Sequence, residues 1–359
     1  KVDPFWPKSP LPNKYLMQGV PTMVTDKNDH IWVLNRPRDI NPDENGAATN
    51  PPRTDCCVAA PAVLEFDTQG NLLRSWGGPG TGYEWPSSEH GMFVDHRGQI
   101  WISSNNLRDS RDAQDRGTHV LKFSQDGKFL LQIGKRGESK GDTDLANLNQ
   151  PAGLFVEPKA NELYVADGYG NHRVIVFDAE TGAYRRHWGA FGNKPDDRDP
   201  GPYKPSDPSP QQFRNPVHCA ELSNDNLLYV CDRVNDRIQV FTPEGKFVKE
   251  KFIEKETLGS GSVWDIAFSK DPGQKFIYLA DGENDQVHIL DRSTLEVLTS
   301  FGDGGRQPGE FYGVHSIATD SKGNIYTTET YRGQRVQKFV YKGLASVAKQ
   351  DQGVVWPKK

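Results

Sequence analysis

Residues 163–177 read LYVADGYGNHRVIVF, and this stretch decides the fold because its pattern recurs along the chain. It starts with an aliphatic residue, an aromatic residue and a second aliphatic residue, here Leu163, Tyr164 and Val165. Asp, Gly and Asn residues follow, and a second apolar run ends at Phe177. The stretch therefore predicts two neighbouring strands joined by a turn or loop.

Five further copies of this strand pattern occur along the chain. Their central aromatic residues, which we call the blade aromatics, are Trp32, Trp101, Tyr164, Tyr229, Tyr278 and Tyr326. Each copy follows an apolar strand and a polar hairpin turn, and precedes a third strand and in most cases a fourth. Four antiparallel strands repeated six times predict an all-β, six-bladed β-propeller, which manages its sheet edges by closing into a ring.

We predict one propeller domain over residues 1–359. The blades are expected at residues 20–78, 90–135, 151–190, 216–253, 263–303 and 313–342. The sixth copy has no clear fourth strand before the chain turns polar at Lys342. One terminus is therefore expected to close the ring, through either residues 14–18 or residues 354–356.

The composition limits the partners that the protein can have. There are 43 Lys and Arg residues against 48 Asp and Glu residues, which gives a net charge of −5 and argues against nucleic acid or an anionic membrane as a partner. The sequence contains no run of about 18 apolar residues that could span a membrane. The chain starts at Lys1 and has an even number of cysteines, so we expect an exported monomer, periplasmic or extracellular, whose signal peptide has been removed.

Four long insertions are expected on one face of the propeller. They cover residues 37–60, 106–118, 135–150 and 191–215, and each joins either a second strand to a third or one blade to the next. Both kinds of connection lie on the same face of a propeller. Because functional loops often gather on one face of a rigid scaffold, we expect the entrance to the central channel there.

Three histidines share one position in alternate blades. His90, His218 and His315 each lie 11 residues before the blade aromatic of their own blade. Alternate blades of a six-bladed ring are about 120° apart, so inner-strand residues at one position converge on the channel. Each histidine alone could be a hydrogen-bonded channel residue, but three imidazoles with room for a further ligand predict one catalytic zinc ion per chain. By contrast, His30, His96 and His172 are expected at the surface.

Two further residues are expected to reach the same end of the channel. Arg36 lies four residues after Trp32, and Tyr169 lies five residues after Tyr164, so both follow second strands on the insertion face. An arginine beside a metal ion could bind a carboxylate with two hydrogen bonds, and a tyrosine there could act as a general base. We predict Tyr169 and Arg36 as the catalytic residues.

These motifs resemble a known family. Residues 164–174 and 232–238 look like NHL repeats, and the chain from about residue 20 to residue 339 resembles the lyase domain of the peptidylglycine α-amidating enzymes. This resemblance implies a zinc-dependent peptidyl-α-hydroxyglycine α-amidating lyase (peptidylamidoglycolate lyase), which cleaves an α-hydroxyglycine adduct to an amide and glyoxylate. It also implies a small-molecule or peptide-derived substrate that carries a carboxylate.

The resemblance further assigns residues and shows two departures. His90, His218 and His315 match the family's zinc ligands, Tyr169 its catalytic tyrosine and Arg36 its catalytic arginine. The family holds a structural calcium ion in part through an Asp after the third ligand, but Ser316 stands there, which puts a calcium site in doubt. Gly170 replaces a cysteine of the animal enzymes and so removes one disulfide bond.

Alternatives remain open for the function and for the cysteines. A metal-dependent hydrolase of lactones or esters could use the same propeller, and an NHL propeller without enzymatic activity could bind partners only. Cys219 and Cys231 lie at similar distances from one hairpin turn and could form a bond across two strands, while Cys56 and Cys57 could be a bonded pair or two thiols.

Overall fold

The strands form six antiparallel sheets of four strands each, arranged as the blades of a propeller. The structure is a computed structural model that describes residues 1–106, 112 and 115–345. The six-bladed all-β fold predicted from the sequence is confirmed. Helical structure in the described residues is limited to 3-10 turns of three residues each.

Each blade runs from an inner strand at the channel to an outer strand at the rim, and its strands follow in that order. The first two blades contain β3 (Thr22–Thr25), β4 (Ile31–Leu34), β6 (Val63–Phe66) and β7 (Leu72–Trp76), and then β8 (Ser88–Val94), β9 (Ile100–Asn105), β10 (Val120–Phe123) and β11 (Phe129–Ile133). The third and fourth blades contain β12 (Pro151–Glu157), β13 (Glu162–Asp167), β14 (Arg173–Asp178) and β15 (Tyr184–Trp188), and then β16 (Val217–Leu222), β17 (Leu228–Asp232), β18 (Arg237–Phe241) and β19 (Phe247–Phe252). The fifth and sixth blades contain β20 (Asp265–Phe268), β21 (Phe276–Asp281), β22 (Gln286–Asp291) and β23 (Val297–Phe301), and then β24 (Val314–Thr319), β25 (Ile325–Glu329), β26 (Arg335–Phe339) and β1 (Val2–Asp3).

Smaller elements lie between and beside the blades. A parallel pair joins β2 (Tyr15–Leu16) to β5 (Val58–Ala59), at the end of the first insertion. The 3-10 turns span Pro12–Lys14, Pro37–Asp39, Gly46–Ala48, Gly141–Thr143, Ala190–Gly192 and Arg233–Asn235.

The blade aromatics form the contacts between neighbouring blades. Trp32 of the first blade packs in a cluster with Met92 and Ile102 of the second, and Tyr164 of the third packs in a cluster with Val217 and Val230 of the fourth. All six blade aromatics are buried. Replacing such a side chain by Ala costs about 3–5 kcal/mol in typical cores, so the repeat that reveals the fold in the sequence also stabilises the ring.

An aspartate in the first hairpin turn fixes the blade aromatic in three blades. Its Oδ1 accepts backbone N–H groups of the turn, and its Oδ2 accepts the hydrogen bond of the aromatic ring. The pairs are Asp26 with Trp32, Asp95 with Trp101 and Asp320 with Tyr326, at 3.1, 3.1 and 2.9 Å. This bond explains why those positions carry Trp or Tyr rather than Phe.

The amino terminus supplies the fourth strand of the sixth blade. Strand β1 pairs with β26, and Val2 lies opposite Phe339. Trp6 packs edge-to-face on Tyr326, with ring centroids 4.9 Å apart, in the cluster between the sixth and first blades. Residues 14–18 do not form this strand, so that alternative is wrong. Residues 354–356, the other alternative, lie outside the described residues.

Two buried ion pairs attach the long insertions to the third and fourth blades. Arg173 binds Asp167 at 2.8 Å and donates to the carbonyl oxygens of residues 142, 144 and 147 in the insertion at 135–150. Arg237 binds Asp232 at 2.7 Å and reaches Ser209 and the carbonyl of residue 212 in the insertion at 191–215. The NHL-like Asp and Arg residues therefore hold these loops to the propeller.

The four cysteines form two disulfide bonds. The structure joins Cys56 to Cys57 and Cys219 to Cys231. Cys219 and Cys231 face each other across β16 and β17 with Cα atoms 4.8 Å apart, within the range that a bond across two strands needs. Within the part of the chain that the structure describes, no helix has the length and apolar character needed to cross a membrane.

Candidate functional site

The three histidines of alternate blades meet in the central channel. His90, His218 and His315 lie near the start of β8, β16 and β24, the inner strands of the second, fourth and sixth blades. Their ring centroids are 4.8 to 5.1 Å apart, and one nitrogen from each ring lies within 4.8 Å of the others. All three side chains are buried. The structure therefore brings together the three residues that the spacing singled out.

Backbone carbonyl groups orient two of the three rings. The Nδ1 of His218 lies 2.5 Å from the carbonyl oxygen of Trp264, and the Nδ1 of His315 lies 2.6 Å from that of Pro21. A carbonyl oxygen only accepts hydrogen bonds, so each Nδ1 carries the proton and each Nε2 keeps a free lone pair. Metal-binding histidines are commonly oriented in this way, by a hydrogen bond from the ring nitrogen that does not bind the metal. The Nδ1 of His90 is buried and has no hydrogen-bond partner among the described residues.

Burial keeps the three imidazoles neutral. It lowers the pKa of His90 and of His218 well below the usual range, and the neighbouring histidines lower both further. Burial, followed by the charges of Arg36 and Arg233, lowers the pKa of His315 to about 3. Zinc binds the neutral form of imidazole, so three neutral rings that converge on one point suit a zinc ion in both number and chemistry.

The hydroxyl group of Tyr169 lies against two of these rings. Its oxygen is 3.0 Å from Nε2 of His90 and 3.1 Å from Nε2 of His218. Arg233 donates a hydrogen bond to the same oxygen at 2.9 Å. Burial raises the pKa of Tyr169, while the charges of Arg233 and Arg36 act to lower it. A divalent cation beside the hydroxyl would act in the same direction as the two arginines.

Arg36 reaches the channel from the first blade. Its Nε donates to the carbonyl oxygen of Glu89 at 2.7 Å, and its Nη1 lies 3.4 Å from Oγ1 of Thr330 in the sixth blade. The side chain is half-buried, and its charge contributes to the low pKa values of the three histidines. The structure thus brings Arg36 to the histidines beside which the sequence predicts it.

Arg233 is a residue of this site that the sequence patterns described above did not single out. It follows the fourth blade aromatic, Tyr229, by four residues, as Arg36 follows Trp32 in the first blade. Its guanidinium lies 4.4 Å from the ring centroid of Trp264 and 5.3 Å from that of Tyr169. The shared position after the blade aromatic was the signal that could have found it.

The central channel holds a cavity on the other side of the histidines. A cavity of about 450 Å³ runs from the three rings along the inner strands to the turns at residues 158–159 and 223–226. These turns lie on the face opposite the insertions, so the cavity opens away from the face on which the entrance was expected. Glu221 and Asp265 line it, and burial raises the pKa of Glu221 well above its usual range and that of Asp265 to about 6.

A second set of possible ligands lies in the first blade, where two residues of the first hairpin turn meet a glutamate of β6. Asp26, His30 and Glu65 each offer an atom within 4.8 Å of the others. Hydrogen bonds already use these groups, because Asp26 accepts from its own turn and from Trp32, and His30 Nδ1 lies 2.7 Å from Glu65. These three residues are therefore a hydrogen-bonded cluster of the first blade.

The comparisons with known proteins agree with the fold and the resemblance. A family model for the NHL repeat matches residues 148–177. The chain is 28% identical over 248 residues to the mouse peptidyl-glycine alpha-amidating monooxygenase, a match that covers 67% of this chain and 22% of the mouse protein. It is 22% identical over 295 residues to the Drosophila melanogaster peptidyl-alpha-hydroxyglycine alpha-amidating lyase 2, covering 77% of this chain and 60% of that protein.

The chain is similar in sequence to enzymes of the α-amidating lyase family. The resemblance found in the sequence is thereby confirmed, and these relatives are named as amidating enzymes. The matched segment spans less than a quarter of the length of the mouse relative. A solved streptogramin B lyase, 15% identical, superposes with a TM-score of 0.50 over 96% of this chain and 88% of its own, which shows a shared fold.

Proposed function

We propose that this chain is a zinc-dependent lyase that cleaves an α-hydroxyglycine type of carbinolamide to an amide and glyoxylate. One observation carries the proposal: the Tyr169 hydroxyl lies within 3.1 Å of two of three converging histidines, with Arg36 and Arg233 beside it. His90, His218 and His315 would hold the zinc ion. When bound, zinc supplies a Lewis acid that lowers the pKa of a neighbouring hydroxyl group.

The reaction needs a base and an anion-binding group. The hydroxyl of the substrate loses its proton while the carbon–nitrogen bond breaks, the oxygen becomes the aldehyde oxygen of glyoxylate, and the amide nitrogen gains a proton. Tyr169 is the base at the hydroxyl, and Arg233 stabilises its phenolate through the hydrogen bond to Oη. Arg36 binds the carboxylate of the substrate, for which a guanidinium offers two parallel hydrogen bonds.

The cellular compartment belongs to the same proposal. Disulfide bonds persist in oxidising surroundings, and the structure contains two of them. We therefore propose an exported protein that acts on a small or peptide-derived substrate with a free carboxylate.

Metal analysis together with a glyoxylate assay tests the proposal. The purified protein should contain one zinc ion per chain and release glyoxylate from an N-acyl-α-hydroxyglycine. His218→Ala should lose both the zinc and the activity. His288→Gln, which changes a buried histidine of the fifth blade, is the matched control and should keep both.

Two results would contradict the proposal. One is full zinc occupancy in the His218→Ala protein, because a ligand would then be absent without consequence. The other is a zinc-loaded wild-type protein that releases no glyoxylate but opens a lactone or an ester, which would favour the hydrolase.

A further inference from the structure

His172, expected at the surface from the sequence, is buried between two of the insertions. Its Nδ1 lies 2.8 Å from Oδ2 of Asp142, and its Nε2 lies 2.7 Å from Oδ1 of Asn215. Asp142 belongs to the insertion at 135–150 and is buried, and Asn215 ends the insertion at 191–215. His172 itself is 5% exposed. It therefore joins both insertions to the third blade.

The hydrogen bonds around His172 require both ring nitrogens to carry protons. The Nδ2 of Asn215 donates to the carbonyl oxygens of residues 168, 169 and 171 at 2.9, 3.2 and 3.1 Å. This fixes the orientation of the amide, so that its oxygen, which only accepts, faces Nε2 of His172. Asp142 accepts at both oxygens, because Oδ1 takes the backbone N–H of His172 at 2.6 Å. A ring between two acceptors is an imidazolium.

The charges around His172 favour this form. Burial acts to lower its pKa, but the hydrogen bond and charge of Asp142, the hydrogen bond to Asn215 and the charge of Asp197 together outweigh burial, so the pKa of His172 is raised above its usual range. Asp197, which accepts the backbone N–H of Asp142 at 2.7 Å, and Asp196 add negative charge. Among the described residues, the cation packed against this group is Arg173, which donates to the carbonyl oxygen of Asp142 at 2.7 Å and neutralises Asp167.

The same bonds lead directly to Tyr169. One carbonyl oxygen that Asn215 binds is that of Tyr169 itself. The backbone N–H groups of Tyr169 and Gly170 donate to residues 150 and 149 at the end of the insertion at 135–150. The imidazolium thus holds the two loops that together fix the backbone on which the Tyr169 side chain is mounted.

We propose that His172 is a positioning residue that, as an imidazolium, holds the backbone around Tyr169 in place, so that turnover falls as His172 loses its proton with rising pH. A neutral ring has one N–H group and would leave either Asp142 or Asn215 facing a lone pair. Both hydrogen bonds of the His172 ring are present below the ordinary pKa of imidazole. One of them is lost as the pH rises through the raised pKa of His172. The effect on turnover rests on the proposed lyase function, whereas the charge of His172 and the order of the loop do not.

The test compares His172→Gln with His288→Gln. His288 is a matched control because it is also buried and binds a carboxylate, Asp281, at 3.0 Å. Its second partner is the hydroxyl of Ser300, at 2.6 Å, which can donate or accept and so requires no imidazolium. The measurements are the ¹⁵N shifts of the histidine rings against pH, hydrogen exchange of the segment around Tyr169, and the pH dependence of kcat and KM.

The ring ¹⁵N resonances that are present in the wild type and absent from His172→Gln belong to His172. In the wild type they should show a doubly protonated ring whose titration midpoint lies above about 6.5. The backbone amide hydrogens of residues 163–177 should exchange severalfold faster in His172→Gln than in the wild type at the same pH. In His288→Gln their exchange rates should be unchanged. At full zinc content, His172→Gln should lower kcat severalfold with little change in KM, and it should lack the decline of kcat with rising pH that we expect of the wild type.

Each measurement can overturn the inference separately. A neutral His172 ring at pH 6, or unchanged exchange in His172→Gln, would show that the imidazolium does not hold the loop. An unchanged alkaline decline of kcat in His172→Gln would remove the link to turnover. If the wild type releases no glyoxylate, the proposed function fails, and the ¹⁵N shifts and the exchange rates still decide whether His172 positions the loop.

Discussion

The two ends of the central channel differ in charge. On the insertion side of the three histidines lie the Tyr169 hydroxyl and the guanidinium groups of Arg36 and Arg233. On the other side lie Glu221 and Asp265, whose carboxyl groups have raised pKa values because they are buried. The cavity opens on this second side, which we call the carboxyl end because of Glu221 and Asp265; the side with Tyr169 is the insertion end.

Under the proposed lyase function, this difference assigns the reaction to the insertion end rather than to the end at which the cavity opens. The anionic substrate of the proposed lyase needs cations that are already oriented, and both arginines stand on the insertion side. Carboxyl groups with raised pKa values offer protons and repel a carboxylate when they ionise. The chemistry of the insertion end should therefore decide turnover, and the carboxyl end should contribute little to it.

Tyr169→Phe is the strongest test of this comparison. It removes one oxygen atom from the insertion end and should lower kcat for glyoxylate release by about a hundredfold or more, as expected for a lost general base. KM should change little. Steady-state kinetics with an N-acyl-α-hydroxyglycine, with zinc content measured on the same sample, give the answer.

Tyr184→Phe is the control for this change. Tyr184 is an exposed tyrosine of β15 in the same blade, far from the channel histidines in the order of the strands. It should leave kcat unaltered. Near-normal glyoxylate release by Tyr169→Phe at full zinc content would show that Tyr169 is not the base. It would also contradict the expectation that the insertion end decides turnover.

Arg36→Ala should have the next largest effect. Losing the guanidinium should raise KM and lower kcat, together on the order of tenfold to a hundredfold in kcat/KM, because a carboxylate loses a charged hydrogen-bonding partner. Arg36→Lys should recover little of this, since an ammonium group cannot form two parallel bonds. Kinetics of both variants with a substrate and with its methyl ester would separate the effects. Equal losses for the ester, which has no carboxylate, would contradict the assignment of Arg36.

The sequence predicts the six blades and the three histidines because both follow from strict repetition. Each blade aromatic must pack against the next blade, and each histidine occupies the same place on an inner strand, so spacing alone locates them. Arg233 shares the position of Arg36 after a blade aromatic, and repetition could have identified it as well. A feature that recurs at the same position in several blades can therefore be recognised from a single sequence.

The remaining features depend on how non-repeating segments fold back on the ring. His172 lies in a turn and becomes buried because Asp142 and Asn215 arrive from two insertions, whose paths no periodicity encodes. Strand β1 has two residues, too few to show an alternating pattern, yet it closes the sixth blade.

Glu221→Gln, at the carboxyl end, should have the smallest effect on the reaction. It should leave kcat/KM within about twofold of the wild type, a change below roughly 0.5 kcal/mol in barrier height. Stability should change instead. Burial, and then the charge of Asp265, raise the pKa of Glu221 well above its usual range, against the opposing charge of Lys270.

A carboxyl group with a higher pKa in the folded than in the unfolded protein binds its proton more tightly when folded, so its contribution to stability falls as the pH rises above the unfolded pKa of about 4.3. Gln has no proton to lose, and the stability of Glu221→Gln relative to the wild type should therefore increase from pH 4.5 to pH 8 in urea denaturation. If Glu221→Gln instead lowered kcat as much as Tyr169→Phe does, at unchanged zinc content, the carboxyl end would take part in the reaction.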